Sequence, residues 1–139
     1  VYIATAEVRD EEFEDRVRRH RERRGPNWTT IESPTALHTH DVNGRQVLVD
    51  CMTLLTTNYF FANGEDVDKA FEAVRHDIDS LTAQDASFVF VTNEIGLGGI
   101  SANKLQRRFT DLLGLVNKYL AEKADTVYFM VSGIPMKIK

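Results

Sequence analysis

Short apolar runs that alternate with amphipathic helical patterns constrain the fold of this chain most strongly. Residues 46–52 (QVLVDCM), 87–92 (SFVFVT) and 126–131 (TVYFMV) are typical of strands covered on both faces. Apolar residues spaced three and four apart predict helices over residues 66–81 and 101–120. Shorter strand candidates lie at residues 2–6 and 29–32, and a charged helix starts at Asp10. This alternation of strands and helices along the chain predicts one α/β domain with a mostly parallel sheet.

Polar residues follow the predicted strands at the points where they end. Ligands of open parallel sheets bind at the carboxyl ends of the strands, so these residues should share one rim. The rim candidates are Thr5, Ala6, Glu32, Asp50, Asn93, Glu94 and Ser132. A strand-terminal acid such as Asp50 suits a Mg²⁺ ion that bridges nucleotide phosphates, although an ordinary strand-end capping role would also explain it.

Residues 16–32 carry a dense cluster of arginines around one histidine. Six arginines surround His20 before Gly25-Pro26 ends the predicted helix. The planar guanidinium group of arginine can bind two phosphate oxygens at once. Nearby cations also favour the neutral imidazole of His20, whose free lone pair would allow it to act as a nucleophile. The alternative is a solvated helix in which acids pair with arginines one turn later and His20 packs at the edge of the apolar stripe.

Composition excludes several classes of protein. The chain has 139 residues, 42% of them hydrophobic, and a net charge of −4, which fits one globular domain and argues against a general nucleic-acid binder. The single Cys51 cannot form an internal disulfide and is compatible with a reducing compartment. No apolar run is long enough to cross a membrane, so we expect a soluble, cytoplasmic protein.

Other motifs carry weaker signals. His38 and His40 could offer two imidazoles to a metal, but without a third ligand at zinc-like spacing a solvated loop pair is favoured. His76 is interpreted as a surface residue of its helix, and the glycines of residues 96–99 as a tight turn. Residues 54–61 fit either a short helix or an irregular packed segment, and Ser101 is the predicted cap of the longest helix. The phosphate-loop pattern G-x-x-x-x-G-K-[ST] does not occur.

Several motifs together resemble one enzyme family, the bifunctional adenosylcobinamide kinase and adenosylcobinamide-phosphate guanylyltransferase of cobalamin (vitamin B12) biosynthesis. The resemblance covers the whole chain and keeps the family's order of motifs. It rests on YIATA, on R-V-x-x-H-x-x-x-R with the tryptophan and T-x-E that follow it, on VLVDCMT with the nearby Thr57-Asn58, on VTNEIGLGG, on Val116-Asn117 and on VSGIPMKIK.

The resemblance implies a fold, an activity and a set of site residues. It implies a three-layer RecA-like P-loop NTPase fold, a homotrimer, and Mg²⁺ with GTP and ATP as substrates. The implied reactions are phosphorylation of adenosylcobinamide by a nucleoside triphosphate, then GMP transfer from GTP through a guanylylated histidine. His20 matches that histidine, and the implied nucleotide contacts are Ala4, Thr5, Ala6, Arg21, Glu22, Arg23, Arg24, Glu32 and Asp50.

One difference from the family is large. Its members begin with a strand and a G-G-x-x-S-G-K-S phosphate loop before the strand that matches residues 2–6, and this sequence starts after that point. We therefore expect residues 1–139 to be one nucleotide-binding domain from a longer enzyme, whose kinase step depends on the loop. Alternatives from other classes are a non-catalytic phosphate- or nucleotide-binding module that uses the arginines of residues 16–24, and a structural remnant that only oligomerises.

Overall fold

A four-stranded parallel sheet forms the centre of the molecule, with the strand order β2-β1-β3-β4. The computed structural model describes residues 1–139. The strands are β1 (Tyr2–Ala4), β2 (Thr30–Glu32), β3 (Gln46–Asp50) and β4 (Ser87–Val91). All three pairings in this sheet are parallel, which confirms the predicted α/β class.

Four helices connect and flank these strands: α1 (Glu11–Arg23), α2 (Met52–Ala62), α3 (Val67–Thr82) and α4 (Lys104–Lys123). Asp10 caps α1 and Asp66 caps α3, each by accepting a backbone N–H of the first turn. The predicted cap of α4 is wrong, because Asn103 caps this helix and accepts the N–H of Gln106. None of the helices is both long enough and apolar enough to cross a membrane.

The segment that the sequence left unassigned is the buried helix α2. Its buried residues lie around much of its circumference: Met52, Leu55, Thr56, Asn58 and Phe60. A helix buried on most sides lacks the single apolar stripe that reveals an amphipathic helix, so periodicity could not identify it.

The hydrophobic core lies between one face of the sheet and helices α2, α3 and α4. Ile3, Val47 and Val49 contribute from the strands, and all three are buried. They belong to one continuous cluster with residues of the helices, among them Leu55, Phe60, Val74, Ile78, Leu81, Leu112 and Val116. Because side chains alternate along a strand, Tyr2, Leu48 and Val89 point to the opposite face.

The C-terminal segment differs from the prediction. Its strands β5 (Tyr128–Val131) and β6 (Ile134–Lys137) pair with each other as a separate antiparallel hairpin. Ser132 and Gly133 both have positive φ, at 51° and 73°, as a two-residue hairpin turn of the primed type requires. Ser132 therefore lies at a hairpin tip, so its predicted place on the rim of the parallel sheet is wrong.

Candidate functional site

Two acidic side chains flank a small residue at the carboxyl ends of three neighbouring strands. Ala4 is aligned with Glu32 on one side and with Asp50 on the other. Aligned residues of parallel strands share a face, and adjacent strands are about 4.8 Å apart, so the two acids lie on strands about 10 Å apart. Only the methyl group of Ala4 stands between them. This row, which we call the acid row, lies on the sheet face opposite the core, and the position of the small Ala4 side chain is the slot between the two acids.

Tyr2 lies two residues before Ala4 on β1, so its side chain is on the same face of the sheet as the acid row. It contacts both the acid row and the residues that follow α1. Its hydroxyl donates a hydrogen bond to the Asp50 carboxylate. The guanidinium of Arg24 covers the Tyr2 ring at 3.9 Å from its centroid, and the Trp28 ring meets it edge-on at a centroid distance of 5.9 Å. Burial raises the pKa of the Tyr2 hydroxyl, and its bond to Asp50 raises it further. Tyr2 therefore stays a proton donor to Asp50 at neutral pH.

A polar cavity of about 520 Å³ opens beside these groups and is lined by Arg21, Arg24, Gly25, Trp28, Thr30 and Glu32. Arg21 forms an ion pair with Glu32 across it. The Nε atom of Arg24 is buried and has no hydrogen-bond partner, and another of its nitrogens makes only a long 3.5 Å contact with Thr30. A buried guanidinium nitrogen without a partner is costly, and Arg24 therefore has hydrogen-bonding capacity that the protein does not use.

His20 lies in the last turn of α1, one residue before Arg21 and four before Arg24. His20 is not among the residues that line the cavity, but it is adjacent in sequence to Arg21, which is. The ring is exposed and makes no hydrogen bond within the protein. It is free to contact a ligand.

The remaining arginines of the cluster divide in a way that the sequence could not show. Arg16 pairs with Glu12 at 3.2 Å and Arg18 with Asp15 at 2.7 Å, so these two follow the solvated-helix alternative. Glu22 lies 4.0 Å from Arg18, and Arg23 is exposed without an ion pair. Of the four residues predicted as nucleotide contacts in residues 21–24, the cavity brings together Arg21 and Arg24 and does not include Glu22 or Arg23.

Thr5 is fully buried at the end of β1, and the protein uses all of its polar groups. Its hydroxyl donates to the carbonyl of Cys51 at 2.7 Å and accepts the N–H of Cys51 at 2.9 Å. Its own N–H donates to the carbonyl of Asp50, and its carbonyl accepts from the side chain of Asn58. These bonds fix the end of β1 to the start of α2, with the half-buried Ala6 just beyond. The structure thus gives Thr5 a positioning role.

Asn93 and Glu94 follow β4, at the opposite edge of the sheet from Glu32. The Asn93 side-chain amide donates a hydrogen bond to the Thr53 hydroxyl at 2.8 Å, and the backbone carbonyl of Asn93 accepts one from the Asn117 side chain at 2.9 Å. Asn93 therefore ties the end of β4 to α2 and α4. Glu94 is exposed and precedes the short 3-10 turn Ile95–Gly98, which agrees with the interpretation of these glycines as a turn.

The predicted Mg²⁺ ligand Asp50 is the one carboxylate on its strand end. It is half-buried and holds the Tyr2 hydroxyl. No group of three or more His, Cys, Asp or Glu side chains converges anywhere in the chain. A single carboxylate can hold Mg²⁺ only together with other ligands, as in nucleotide-binding sites, where substrate phosphates and water complete the coordination.

The prediction for the loop histidines is wrong. His38 is bonded through Nδ1 to the buried Asp77 at 2.7 Å, and His40 contacts the hydroxyl of Ser33 at 3.1 Å. They are therefore held by the protein and are not a solvated pair. His76 is exposed on its helix as predicted, but its ring lies against that of His38.

Comparison with known proteins assigns the family. The family model described as cobinamide kinase / cobinamide phosphate guanyltransferase matches residues 1–138. The chain belongs to this family. It is 38% identical to the bifunctional adenosylcobalamin biosynthesis protein CobU of Escherichia coli over all of this chain and 85% of that protein. It is 36% identical to CobP of Pseudomonas aeruginosa, over 99% of this chain and 81% of that protein.

A third relative, CobU of Salmonella typhimurium, is 36% identical over all of this chain and 85% of its own length. The three relatives carry the same description, that of bifunctional enzymes of adenosylcobalamin biosynthesis. The resemblance found in the sequence motifs is thereby confirmed at the level of the family. As a member of the cobinamide kinase / cobinamide phosphate guanyltransferase family, the chain has a P-loop type of α/β fold.

Proposed function

We propose that this protein phosphorylates adenosylcobinamide with a nucleoside triphosphate and then transfers GMP from GTP to the product through His20, giving adenosylcobinamide-GDP. The observation that carries the second step is the position of His20. Its imidazole makes no hydrogen bond within the protein, and the residue directly precedes Arg21, which lines the polar cavity together with Arg24, a residue with a buried nitrogen that has no partner. A nucleophile next to unsatisfied phosphate-binding groups supports phosphoryl chemistry.

The transfer consists of two displacements at the α-phosphorus of GTP. In the first, a ring nitrogen of His20 attacks this phosphorus, the bond to the bridging oxygen breaks, and pyrophosphate leaves. In the second, a phosphate oxygen of adenosylcobinamide phosphate attacks the same phosphorus, and the nitrogen–phosphorus bond breaks to regenerate His20. The guanidinium groups of Arg21 and Arg24 would stabilise the charge that develops on the phosphoryl oxygens in both displacements.

Recognition of guanine is assigned to the cavity wall formed by Glu32 and Trp28. A carboxylate only accepts hydrogen bonds when ionised, and guanine presents two adjacent N–H donors on its pairing edge. The ion pair with Arg21 favours ionised Glu32. Trp28 is 45% exposed, so one part of its ring is available for contact with the base. The backbone of residues 4–6 would line the sugar and phosphates at the slot of the acid row.

Further parts of the proposal rest on the family resemblance together with weaker structural support. Asp50 would hold a Mg²⁺ ion on the phosphates of GTP or ATP, since it supplies the one carboxylate such a site needs. The exposed apolar residues of the C-terminal hairpin, which include Tyr128, Met130 and Ile134, are consistent with a homotrimer. The single free Cys51 is consistent with a cytoplasmic location.

The decisive experiment is the isolation of the covalent intermediate. The protein in its full natural length is incubated with GTP and Mg²⁺ and analysed by intact-mass and peptide mass spectrometry. We expect one added GMP on His20, labile in acid and stable in base as a phosphoramidate. His20→Ala should abolish the label, whereas the matched control His40→Gln, which removes a histidine that contacts Ser33, should keep it. GMP on a lysine or serine, or labelling of His20→Ala, would refute the assignment.

The same experiment tests the non-catalytic alternative. A polyanion-binding module would bind GTP reversibly, leave no covalent product, and lose affinity steeply with salt. The ion pairs of Arg16 and Arg18 argue against this module, because they already pair two of the cations that it would use.

A further inference from the structure

A buried carboxylate outside the proposed site fixes the orientation of a histidine. The side chain of Asp77, on α3, is 1% exposed. It accepts the backbone N–H groups of Leu37 at 3.0 Å and His38 at 2.9 Å, and the hydroxyl of Tyr59 at 2.8 Å. The Tyr59 oxygen itself accepts the N–H of Ala36, so its proton is directed to Asp77. Every partner of Asp77 is thus a donor.

The tautomer of His38 follows from this arrangement. Its Nδ1 atom lies 2.7 Å from Asp77, and a carboxylate surrounded by donors must receive a proton there. In its neutral form His38 therefore carries its proton on Nδ1 and its lone pair on Nε2. That nitrogen has no partner in the protein, and the side chain is 31% exposed. A histidine whose other ring nitrogen donates to a carboxylate has the orientation and basicity typical of a metal ligand.

A second imidazole stands at the distance that a shared metal would require. The ring of His76, the residue before Asp77, lies with its centroid 5.3 Å from that of His38 and at an angle of 70°. Two imidazoles bound at 2.0–2.1 Å to one tetrahedral ion would have their ring centres about 5 Å apart. His76 makes no hydrogen bond and is exposed on its helix, so its ring can turn toward a common ion.

We infer that His38 and His76 form a binding site for one divalent transition-metal ion of the class of Zn²⁺, Ni²⁺ or Cu²⁺, with Asp77 as the supporting carboxylate. Imidazole nitrogens favour these ions over Mg²⁺, so this site is distinct in chemistry from the one proposed at Asp50. No third His, Cys, Asp or Glu converges on the pair, so water completes the coordination.

The metal would link two segments that are separate in sequence. His38 belongs to the connection between β2 and β3, which starts directly after Glu32, whereas His76 belongs to α3. An ion that binds only the folded arrangement stabilises it by mass action. Occupancy should therefore raise the thermal stability of the protein.

Isothermal titration of the full chain with Zn²⁺, and separately with Ni²⁺, in a non-chelating buffer tests the inference. We expect one saturable site per chain and a metal-dependent rise in Tm. His76→Gln, an exposed change that leaves the Asp77 network intact, should weaken binding at least tenfold, and so should His38→Gln. Loss of the supporting carboxylate in Asp77→Asn should cost about 10- to 100-fold in affinity. The matched control His40→Gln, on the same loop, should bind as the unaltered protein does.

A structural readout complements the affinities. In long-range ¹H–¹⁵N spectra, His38 should show a proton on Nδ1 before metal is added, and its Nε2 resonance should shift on titration. Absence of saturable binding, undiminished binding by His76→Gln, or equal loss in His40→Gln would each overturn the inference and leave the two rings as an edge-to-face packing pair.

Discussion

Replacement of Thr5 by valine tests whether the end of β1 is held by one buried hydroxyl. Valine has nearly the same shape as threonine and keeps the γ-methyl contacts, so the change removes hydrogen bonds with little change of packing. In the structure the hydroxyl bridges the N–H and the carbonyl of Cys51, at 2.9 and 2.7 Å. In the valine variant the Cys51 carbonyl would still accept the N–H of Leu55, whereas the Cys51 N–H would lose its only hydrogen-bond acceptor.

The expected loss of stability follows from these two groups. Leaving a buried donor unsatisfied costs about 1–3 kcal/mol, and losing one further hydrogen bond about 1 kcal/mol. We therefore expect Thr5→Val to lower the free energy of unfolding by about 2–4 kcal/mol. Thr5→Ser is the matched control, because it keeps the hydroxyl and loses one methyl group, at a cost of about 0.5–1.5 kcal/mol.

Urea denaturation followed by circular dichroism measures both changes. The same variants also test the site, because Thr5 joins the strand ends that carry Ala4 and Asp50. We expect GMP loading of His20 to fall in Thr5→Val and to persist in Thr5→Ser at a temperature where both are folded. If Thr5→Val is as stable as the unaltered protein, or more stable than Thr5→Ser, the positioning role of this hydroxyl is refuted.

Two further predictions concern the acid row and the response to pH. Ala4→Leu fills the slot between the two acids and should weaken GTP binding at least tenfold by calorimetry, with an unchanged circular dichroism spectrum; unchanged affinity would move the nucleotide elsewhere. Hydrogen bonds from Lys123 and Tyr119 lower the pKa of Asp79 below its usual 3.8. The ionised Asp79 side chain therefore stabilises the fold above pH 3.8, and this stabilisation is lost as the pH falls through the folded-state pKa. In an acid titration, Asp79→Asn should lose less stability than the unaltered protein does. Identical titration curves would contradict this prediction.

Local patterns in the sequence predicted the strands of the parallel sheet and the amphipathic helices but not the buried helix α2. The strands at 46–50 and 87–91 were found because each is a nearly continuous apolar run, and the helix α3 because its apolar residues recur every three or four positions. The prediction that the strand at 87–91 is covered on both faces is wrong, because Val89 and Val91 are exposed. The C-terminal strand was found too, but its partner was not. The apolar run of residues 126–131 reads as a buried strand, whereas Tyr128 and Met130 are exposed in a hairpin. Only the Ser132-Gly133 pair indicated the turn.

The sequence predicted the site residues that lie at strand ends. It did not predict the contacts that side chains make with residues distant in sequence. The rule for parallel sheets placed Glu32 and Asp50 on one rim, and the structure aligns both with Ala4. Tyr2 was missed as a site residue because its ring extends along the sheet to Asp50, 48 residues away in sequence. The bond between His38 and Asp77 spans 39 residues, so no local spacing could reveal it.

The site consists of a rigid part and a loosely attached part, and the proposed chemistry uses this difference. Thr5 and Asn58 fix the strand ends by buried hydrogen bonds, whereas α1, which carries His20, has no buried residue. A histidine that first attacks GTP and then presents GMP to a second phosphate must meet two different partners. A helix held mainly by surface contacts, such as the ion pair of Arg21 with Glu32, can shift between these positions without disrupting the core. In the proposed mechanism the strand ends would hold GTP during the first attack, and the helix would then carry the GMP bonded to His20 to the second phosphate.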